Sequence, residues 1–175
     1  MSKGHPMDFP RLTAYLAGLA AHNDKTWFDA NRTEYQALRD DFTAFVDRVI
    51  AMVADWDDYA KGLTAKDCLF RINRDTRFSR DKSPYKTVFS AAIGKGHATH
   101  NPGYYFHVDQ NGTLLLAAGL HNPEPAQVAR VRDHIVEHPD RLEKIVRQPG
   151  FKEMFEEIHG ERLKRAPRGY AEDHP

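Results

Sequence analysis

The chain is organised around a basic segment at residues 70–86, which reads Phe70-Arg71-Ile72-Asn73-Arg74-Asp75-Thr76-Arg77-Phe78-Ser79-Arg80-Asp81-Lys82-Ser83-Pro84-Tyr85-Lys86. It carries six basic residues (Arg71, Arg74, Arg77, Arg80, Lys82 and Lys86) and two acidic ones (Asp75 and Asp81). Helical spacing of apolar residues precedes the segment and strand-like alternation follows it, so the fold changes character here. Since the whole chain has 25 Lys and Arg against 25 Asp and Glu, the positive charge is local. The segment predicts a site without identifying a substrate or a reaction.

Length and composition predict one domain without a membrane span. A chain of 175 residues can bury roughly 70% of the surface that its unfolded form exposes. A net charge of +0 gives no case for wholesale binding to nucleic acid or membranes. The N-terminus lacks the apolar region of a signal peptide, and the one cysteine, Cys68, cannot form an internal disulfide. We therefore expect a cytoplasmic protein with no membrane partner and no cofactor, whereas the oligomeric state is not determined.

Residues 8–60 show the apolar spacing of helices. Asp8 can cap a first helix, and Pro10 suits its first turn. Asn23 or Asp24 starts the next helical stretch, in which apolar residues recur every three or four positions as far as Trp56. This pattern predicts either one long helix or two helices joined near Asn31.

Residues 66–120 are predicted to form an antiparallel meander of about four strands. The connections are too short for the crossover helices that a parallel sheet requires. Asn111-Gly112 is a signal for a two-residue hairpin turn. The expected strands are Cys68–Ile72, Lys86–Ile93, Gly103–Asp109 and Thr113–Leu120.

Helical spacing returns at residues 124–160, and residues 161–175 form a polar tail. Breaks are expected at His138-Pro139 and Pro149-Gly150, and the last helix is expected to end at Gly160. The order of helices, strands and helices predicts an α+β fold over residues 1–175, in which N-terminal and C-terminal helices pack on the meander.

Strand alternation predicts which way the basic segment faces. If residues 69–73 form a strand, Phe70 and Ile72 enter the core, and Leu69, Arg71 and Asn73 lie on the opposite face. A hairpin-like return would then bring Lys86 close to Arg71. Other charged residues, Arg74, Asp75, Arg77, Arg80, Asp81 and Lys82, would follow on the connecting loop.

Three functions are compatible with this cluster of charge. Converging cations repel each other unless an anion lies among them, and arginine matches phosphate or carboxylate with two parallel hydrogen bonds. Alternatively, Asp75 and Asp81 neutralise part of the cluster, and the segment is structural in a scaffold or partner-binding protein. A nucleic-acid surface is the third hypothesis, because the aromatic residues Phe78 and Tyr85 interleave with the cations.

The third predicted strand adds candidates to the site. Tyr104, Phe106 and Val108 share one face, and Tyr105, His107 and Asp109 share the other. If the second face bears Arg71, His107 is a candidate catalytic acid or base. The alternative is a half-buried structural histidine. The predicted ligand-binding residues are Arg71, Asn73, Arg74, Asp75, Arg77, Lys82, Tyr85, Lys86 and Tyr105.

Other motifs carry little chemistry. His97 and His100 lie in a glycine-rich loop, but no cysteine or carboxylate completes a zinc site, so no metal is predicted. Cys68 is expected to be a small buried residue whose thiol pKa is raised by Asp67. No nucleophile elbow, P-loop or dinucleotide-binding glycine motif occurs.

The basic segment resembles the hallmark of the DUF2461 family, with Arg80 and Ser83 at its variable places. Two further stretches carry the resemblance, Pro102-Gly103-Tyr104-Tyr105 and Arg168-Gly169-Tyr170 followed by Asp173-His174-Pro175. The chain departs from the family pattern at Gly119-Leu120-His121-Asn122-Pro123, where a Gly-Gly-aromatic turn is expected. Similar members continue beyond Asp173-His174-Pro175, so we expect a further terminal segment. The resemblance implies no activity, but it implies that the basic segment is the family's signature.

Overall fold

The chain divides into two compact units, Met1–Pro123 and Glu124–Pro175. The structure is a computed structural model that describes residues 6–94, 102–161, 163–167 and 169–171. Unit 1 contains the first helices, the basic segment and the sheet, and unit 2 contains the later helices. The single domain expected from chain length stays a prediction.

The N-terminal helices follow their sequence signals. Helix α1 (Phe9–Ala21) begins after Asp8, whose Oδ1 accepts a hydrogen bond from the Arg11 amide at 2.9 Å. Helices α2 (Lys25–Ala30) and α3 (Arg32–Val53) are separate, which confirms the alternative of two helices. Their junction is Asn31, which leaves helical geometry and donates its side-chain amide to the Trp27 carbonyl.

The prediction of a strand at Cys68–Ile72 is wrong. Ala65–Cys68 forms the short helix α4, after a 3-10 turn at Asp58–Ala60. Asp67 accepts hydrogen bonds from both the amide and the hydroxyl of Thr64, at 3.0 and 2.7 Å. This capping box satisfies the Thr64 amide, and the Ala65 amide donates to Asp47 of α3 at 2.7 Å, so these contacts favour a helix here over a strand.

The residues after α4 lie beside the sheet without forming a regular strand. They make two isolated antiparallel bridges, one between Leu69 and Ala91 and one between Asn73 and Tyr85. The backbone bends at Ile72, between the two bridges. The sheet therefore has three strands instead of about four.

The three strands form the predicted antiparallel meander. They are β1 (Val88–Ile93), β2 (Gly103–Asp109) and β3 (Leu114–Gly119), in that order across the sheet. The hairpin joining β2 and β3 has a three-residue loop, in which Gly112 has a φ of +78° and its amide donates to the Asp109 carbonyl. A two-residue turn would require a positive φ at Asn111 as well, and Asn111 does not have one.

The core of unit 1 lies between the helices and one face of the sheet. Phe89 pairs with Val108, and Ala91 pairs with Phe106, all four of them buried. The ring of Phe42, from α3, lies 5.3 Å from that of Phe89 and 6.0 Å from that of Phe106. The prediction that Phe106 and Val108 share one face of β2 is thus confirmed, and that face is the buried one. The opposite face of the sheet, called here the outer face, carries Ser90, Tyr105 and His107.

Unit 2 consists of short helices. They are α5 (Pro125–Glu137), α6 (Pro139–Val146) and α7 (Pro149–Phe155), and none of their residues is buried. Helix α7 ends earlier than the predicted Gly160, because Glu156 takes a φ of +60°. No described helix in either unit is both long and apolar enough to cross a membrane.

Candidate functional site

Backbone hydrogen bonds close residues 70–86 into a loop with adjacent ends. The Lys86 amide donates to the Ile72 carbonyl at 2.8 Å, and the Arg74 amide donates to the Pro84 carbonyl at 2.9 Å. At the start of the loop, the Phe70 amide donates to the Ser90 carbonyl of β1 at 3.1 Å. The hairpin-like return expected from the sequence therefore exists, although no regular strand precedes it.

Tyr85 anchors the end of the loop in the core. Its side chain is 7% exposed, and its ring stacks on that of Phe28 with centroids 4.1 Å apart. The side chain of Asn23 binds both backbone polar groups of Tyr85, accepting from its amide and donating to its carbonyl at 3.0 Å each. Sequence reasoning missed this role of Asn23, and Asp24 instead caps α2.

The predicted facing of residues 69–73 is partly wrong. Leu69 and Ile72 are buried in the core, whereas Phe70 is half-buried. The Phe70 ring lies over the outer face of the sheet, 6.1 Å from the ring of Tyr105. The prediction assumed strict alternation, and the bend at Ile72 breaks it. Arg71 and Asn73 are exposed, as expected for residues outside the core.

Part of the positive charge is neutralised within the loop. Arg77 donates from Nε and Nη2 to the two oxygens of Asp75, at 3.0 and 2.6 Å, and these hydrogen bonds lower the pKa of that carboxyl. Arg74 lies 3.0 Å from Asp81, and the Lys82 ammonium donates to the Thr76 carbonyl at 2.8 Å. These contacts are what the structural alternative predicts for Asp75 and Asp81.

Lys86 is not neutralised in this way. Its ammonium lies 5.4 Å above the centroid of the Phe70 ring, and no carboxylate among the described residues pairs with it. Burial lowers the pKa of Lys86, and the charges of Arg71 and Arg74 lower it further. Arg74 also has a buried Nε without a hydrogen-bond partner in the described chain. Three cations thus influence one another, and within the described parts of the chain only Arg74 has a carboxylate partner.

The contacts that begin at Lys86 and Phe70 extend onto the outer face of the sheet. Tyr105 contacts the Phe70 ring on one side, and its hydroxyl is 3.0 Å from Nδ1 of His107 on the other. Lys86, Phe70, Tyr105 and His107 therefore form one chain of contacts. The sequence predicted that Tyr105 and His107 share a face, and the register across Ser90 places both on the outer face.

Arg39 is a second residue that sequence reasoning missed. It extends from α3, and its Nη1 donates to the Phe70 carbonyl at 3.0 Å. Burial lowers the pKa of its half-buried guanidinium. The available signal was its position directly after Leu38, a buried residue of the apolar series, which places Arg39 at the edge of the core face rather than on the solvated one.

Cys68 belongs to the core rather than to this surface. Cys68 is fully buried, and burial raises the pKa of its thiol to about 11, with Asp67 and Asp47 adding to the effect. His97 and His100 lie outside the described residues. In unit 2, the Tyr170 hydroxyl donates to Asp133 at 2.7 Å, and ligand atoms of His134, Glu137 and His138 lie close together.

Comparison with known proteins gives one match. The model of a family described as "Conserved hypothetical protein (DUF2461)" matches residues 11–175. No curated protein and no solved structure matches the chain. The family match includes the basic segment, the sheet and unit 2, and its description names no activity.

Proposed function

The chain belongs to the DUF2461 family, and we propose that its basic segment binds a small molecule bearing a phosphate or carboxylate group. The proposed contacts are Lys86 and Arg71, and Arg74 adds its positive charge beside them. Lys86 and Arg71 have no carboxylate partner among the described residues, so both are free to meet a ligand anion. Asn73 and the paired residues Asp75, Arg77 and Lys82 would shape the rim of this site.

The proposal depends mainly on the surroundings of the Lys86 ammonium. A half-buried ammonium beside two arginines is destabilised by loss of hydration and by repulsion. A bound anion would relieve both effects, because it replaces water with a charged partner and screens the three cations from one another. Phosphate suits the arrangement, since arginine offers a planar fork and lysine a point charge.

The outer face supplies groups that could orient the ligand. Tyr105 and His107 form a hydrogen-bonded pair at 3.0 Å, at the far end of the contacts that begin at Lys86. In this proposal His107 orients or protonates the ligand, because the ring nitrogens of imidazole can donate or accept a hydrogen bond. Tyr85 contributes by holding the loop rather than by contact, since its ring is in the core.

A thermal-shift screen of phosphorylated and carboxylated metabolites tests the proposal. A ligand that binds only the folded chain stabilises it by RT ln(1 + [L]/Kd), so Tm rises with the logarithm of ligand concentration above Kd. We expect Lys86→Ala and Arg71→Ala to abolish this shift. The matched control is Arg80→Ala, which removes one charge from an exposed position in the same loop that lies outside the proposed site. Equal loss in the control and in Lys86→Ala would refute the proposed contacts, as would the lack of any shifting compound.

Nucleic-acid binding is a second candidate, favoured by Phe78. Its side chain is 94% exposed, and the Arg77 guanidinium lies 5.8 Å from its ring centroid. An exposed aromatic ring beside cations can stack on an unpaired base. Binding to a single-stranded oligonucleotide should then weaken steeply with salt and fall on Phe78→Ala. Absence of binding at low salt would dispose of this candidate.

A structural arginine network is the third candidate, and Arg74 favours it. Arg74 pairs with Asp81 and also donates to the Tyr85 carbonyl at 3.4 Å. Its replacement by alanine should therefore lower Tm whether or not a ligand binds. The variant Lys86→Ala distinguishes the hypotheses better. In a purely structural network, it does not change the response of Tm to any added compound.

A further inference from the structure

The last turn of α5 places three potential metal ligands together. His134 lies in this turn, Glu137 is the last residue of the helix, and His138 is its C-cap. Residues at positions i, i+3 and i+4 share one face of a helix. Their ligand atoms all lie within 4.8 Å of one another.

We propose that His134, Glu137 and His138 form a binding site for a divalent transition-metal ion of the zinc type. Imidazole nitrogen and carboxylate oxygen are zinc ligands, with bond lengths of about 2.0–2.2 Å. Three protein ligands leave a fourth tetrahedral position for water or for a second molecule. The order His-x-x-Glu-His also occurs in one class of zinc peptidases, a precedent for zinc bound by two histidines four residues apart, as His134 and His138 are.

The backbone at the site is fixed by the sequence. Pro139 disfavours helical geometry in the residue before it, and His138 has φ −136° and ψ 58°. The His138 amide nevertheless donates to the His134 carbonyl at 3.0 Å, and its carbonyl accepts from the Arg141 amide at 3.1 Å. The two imidazole rings lie with their centroids 4.8 Å apart at an interplanar angle of 66°.

The ligand atoms are free to bind a metal. Within the described chain, no hydrogen bond engages a ring nitrogen of His134 or His138, in contrast to His159, whose Nε2 lies 3.0 Å from the Phe155 carbonyl. No described cation pairs with Glu137, although neighbouring acidic residues have such partners, as Glu143 does with Arg147. Ligand atoms in a tetrahedral zinc site lie about 3.3 Å apart. Side-chain rotation closes the remaining gap, because Glu137 and His134 are exposed.

The site differs from the basic segment in both place and charge. It lies in unit 2, whereas the basic segment lies in unit 1. It combines a carboxylate with two imidazoles, which are ligands for a metal cation, whereas the basic segment offers groups that bind an anion. The inference does not depend on the proposed anion site, and either can fail without the other.

Calorimetric titration of the full chain with Zn²⁺ tests the site, with Co²⁺ absorption as a report on coordination. We expect one saturable site per chain and a weakening of at least about tenfold in His134→Ala and His138→Ala. Glu137→Gln should also weaken binding. Circular dichroism of the metal-free variants checks that each has kept its helices.

Two controls separate this site from other histidines. His159→Ala removes a histidine of unit 2, and the double variant His97→Ala/His100→Ala removes the other closely spaced pair in the sequence. Both should bind Zn²⁺ with the affinity of the unmodified chain. The proposal would be overturned by absence of saturable binding, by equal loss in either control, or by unchanged affinity in Glu137→Gln.

Discussion

Replacing Asn23 by alanine tests whether the basic loop is fixed to the helices through one side chain. The change removes the two hydrogen bonds of 3.0 Å that Asn23 makes with the backbone of Tyr85. Each such bond contributes about 0.5–1.5 kcal/mol net, and a buried group left without a partner costs about 1–3 kcal/mol. The Tyr85 carbonyl keeps the Arg74 contact at 3.4 Å, so mainly the amide loses its partner. We expect the free energy of unfolding to fall by about 2–3 kcal/mol.

Urea denaturation followed by tryptophan fluorescence measures this loss in unit 1 alone. Both tryptophans of the chain, Trp27 and Trp56, lie in that unit. With an m-value of about 2 kcal/mol per molar, the midpoint should fall by about 1–1.5 M. The control Asn73→Ala changes an exposed asparagine whose side chain makes no hydrogen bond to another described residue, and its stability should stay within about 0.5 kcal/mol of that of the unmodified chain. If Asn23→Ala lowers the free energy of unfolding by as little as this control does, the anchoring role of Asn23 is refuted.

Three further predictions follow from burial and charge. Phe42→Ala should destabilise unit 1 by about 3–5 kcal/mol, because the side chain is fully buried, whereas the 94% exposed Phe78 should tolerate alanine; similar urea midpoints would contradict this. Cys68, with a buried thiol of pKa about 11, should resist a thiol reagent at pH 8 until urea is added; rapid labelling of the native chain would contradict its burial. Because the pKa of Lys86 is lowered in the folded chain, the unfolded chain binds more protons between that value and about 10.4, and stability should rise with pH through this window. Lys86→Met should therefore be more stable than the unmodified chain at pH 7, and the difference should shrink at pH 10; a constant difference would contradict the shift.

Signals that act within a few residues were sufficient to predict most elements of unit 1. The Asp8 cap, the apolar spacing through α3 and the alternation along β2 all depend on neighbours in the chain. The same holds for the buried thiol of Cys68, whose apolar character and acidic neighbour are visible in the sequence. Such features need no knowledge of distant contacts.

Competing local signals explain the errors. Cys68, the first residue of the strand expected at Cys68–Ile72, lies in α4 instead, because Thr64 and Asp67 cap that helix. The hairpin loop gained a residue, because Asp109 binds the amides of Asn111 and Thr113 and so stabilises the wider turn. Both outcomes depend on short polar motifs, which a prediction from the spacing of hydrophobic residues does not take into account.

The sequence by itself determined that residues 70–86 carry a local excess of positive charge, lie between helices and an antiparallel sheet, and mark the DUF2461 family. Only the tertiary structure decided which cations are neutralised. Arg77 and Arg74 reach Asp75 and Asp81, whereas Lys86 lies on Phe70 without a carboxylate among the described residues. The physical reason is the range of the interactions along the chain. Helical and strand periodicity depends on residues that are neighbours in sequence, whereas ion pairing depends on distances of a few ångströms between side chains. Those distances are set by contacts such as Asn23 with Tyr85, which are 62 residues apart.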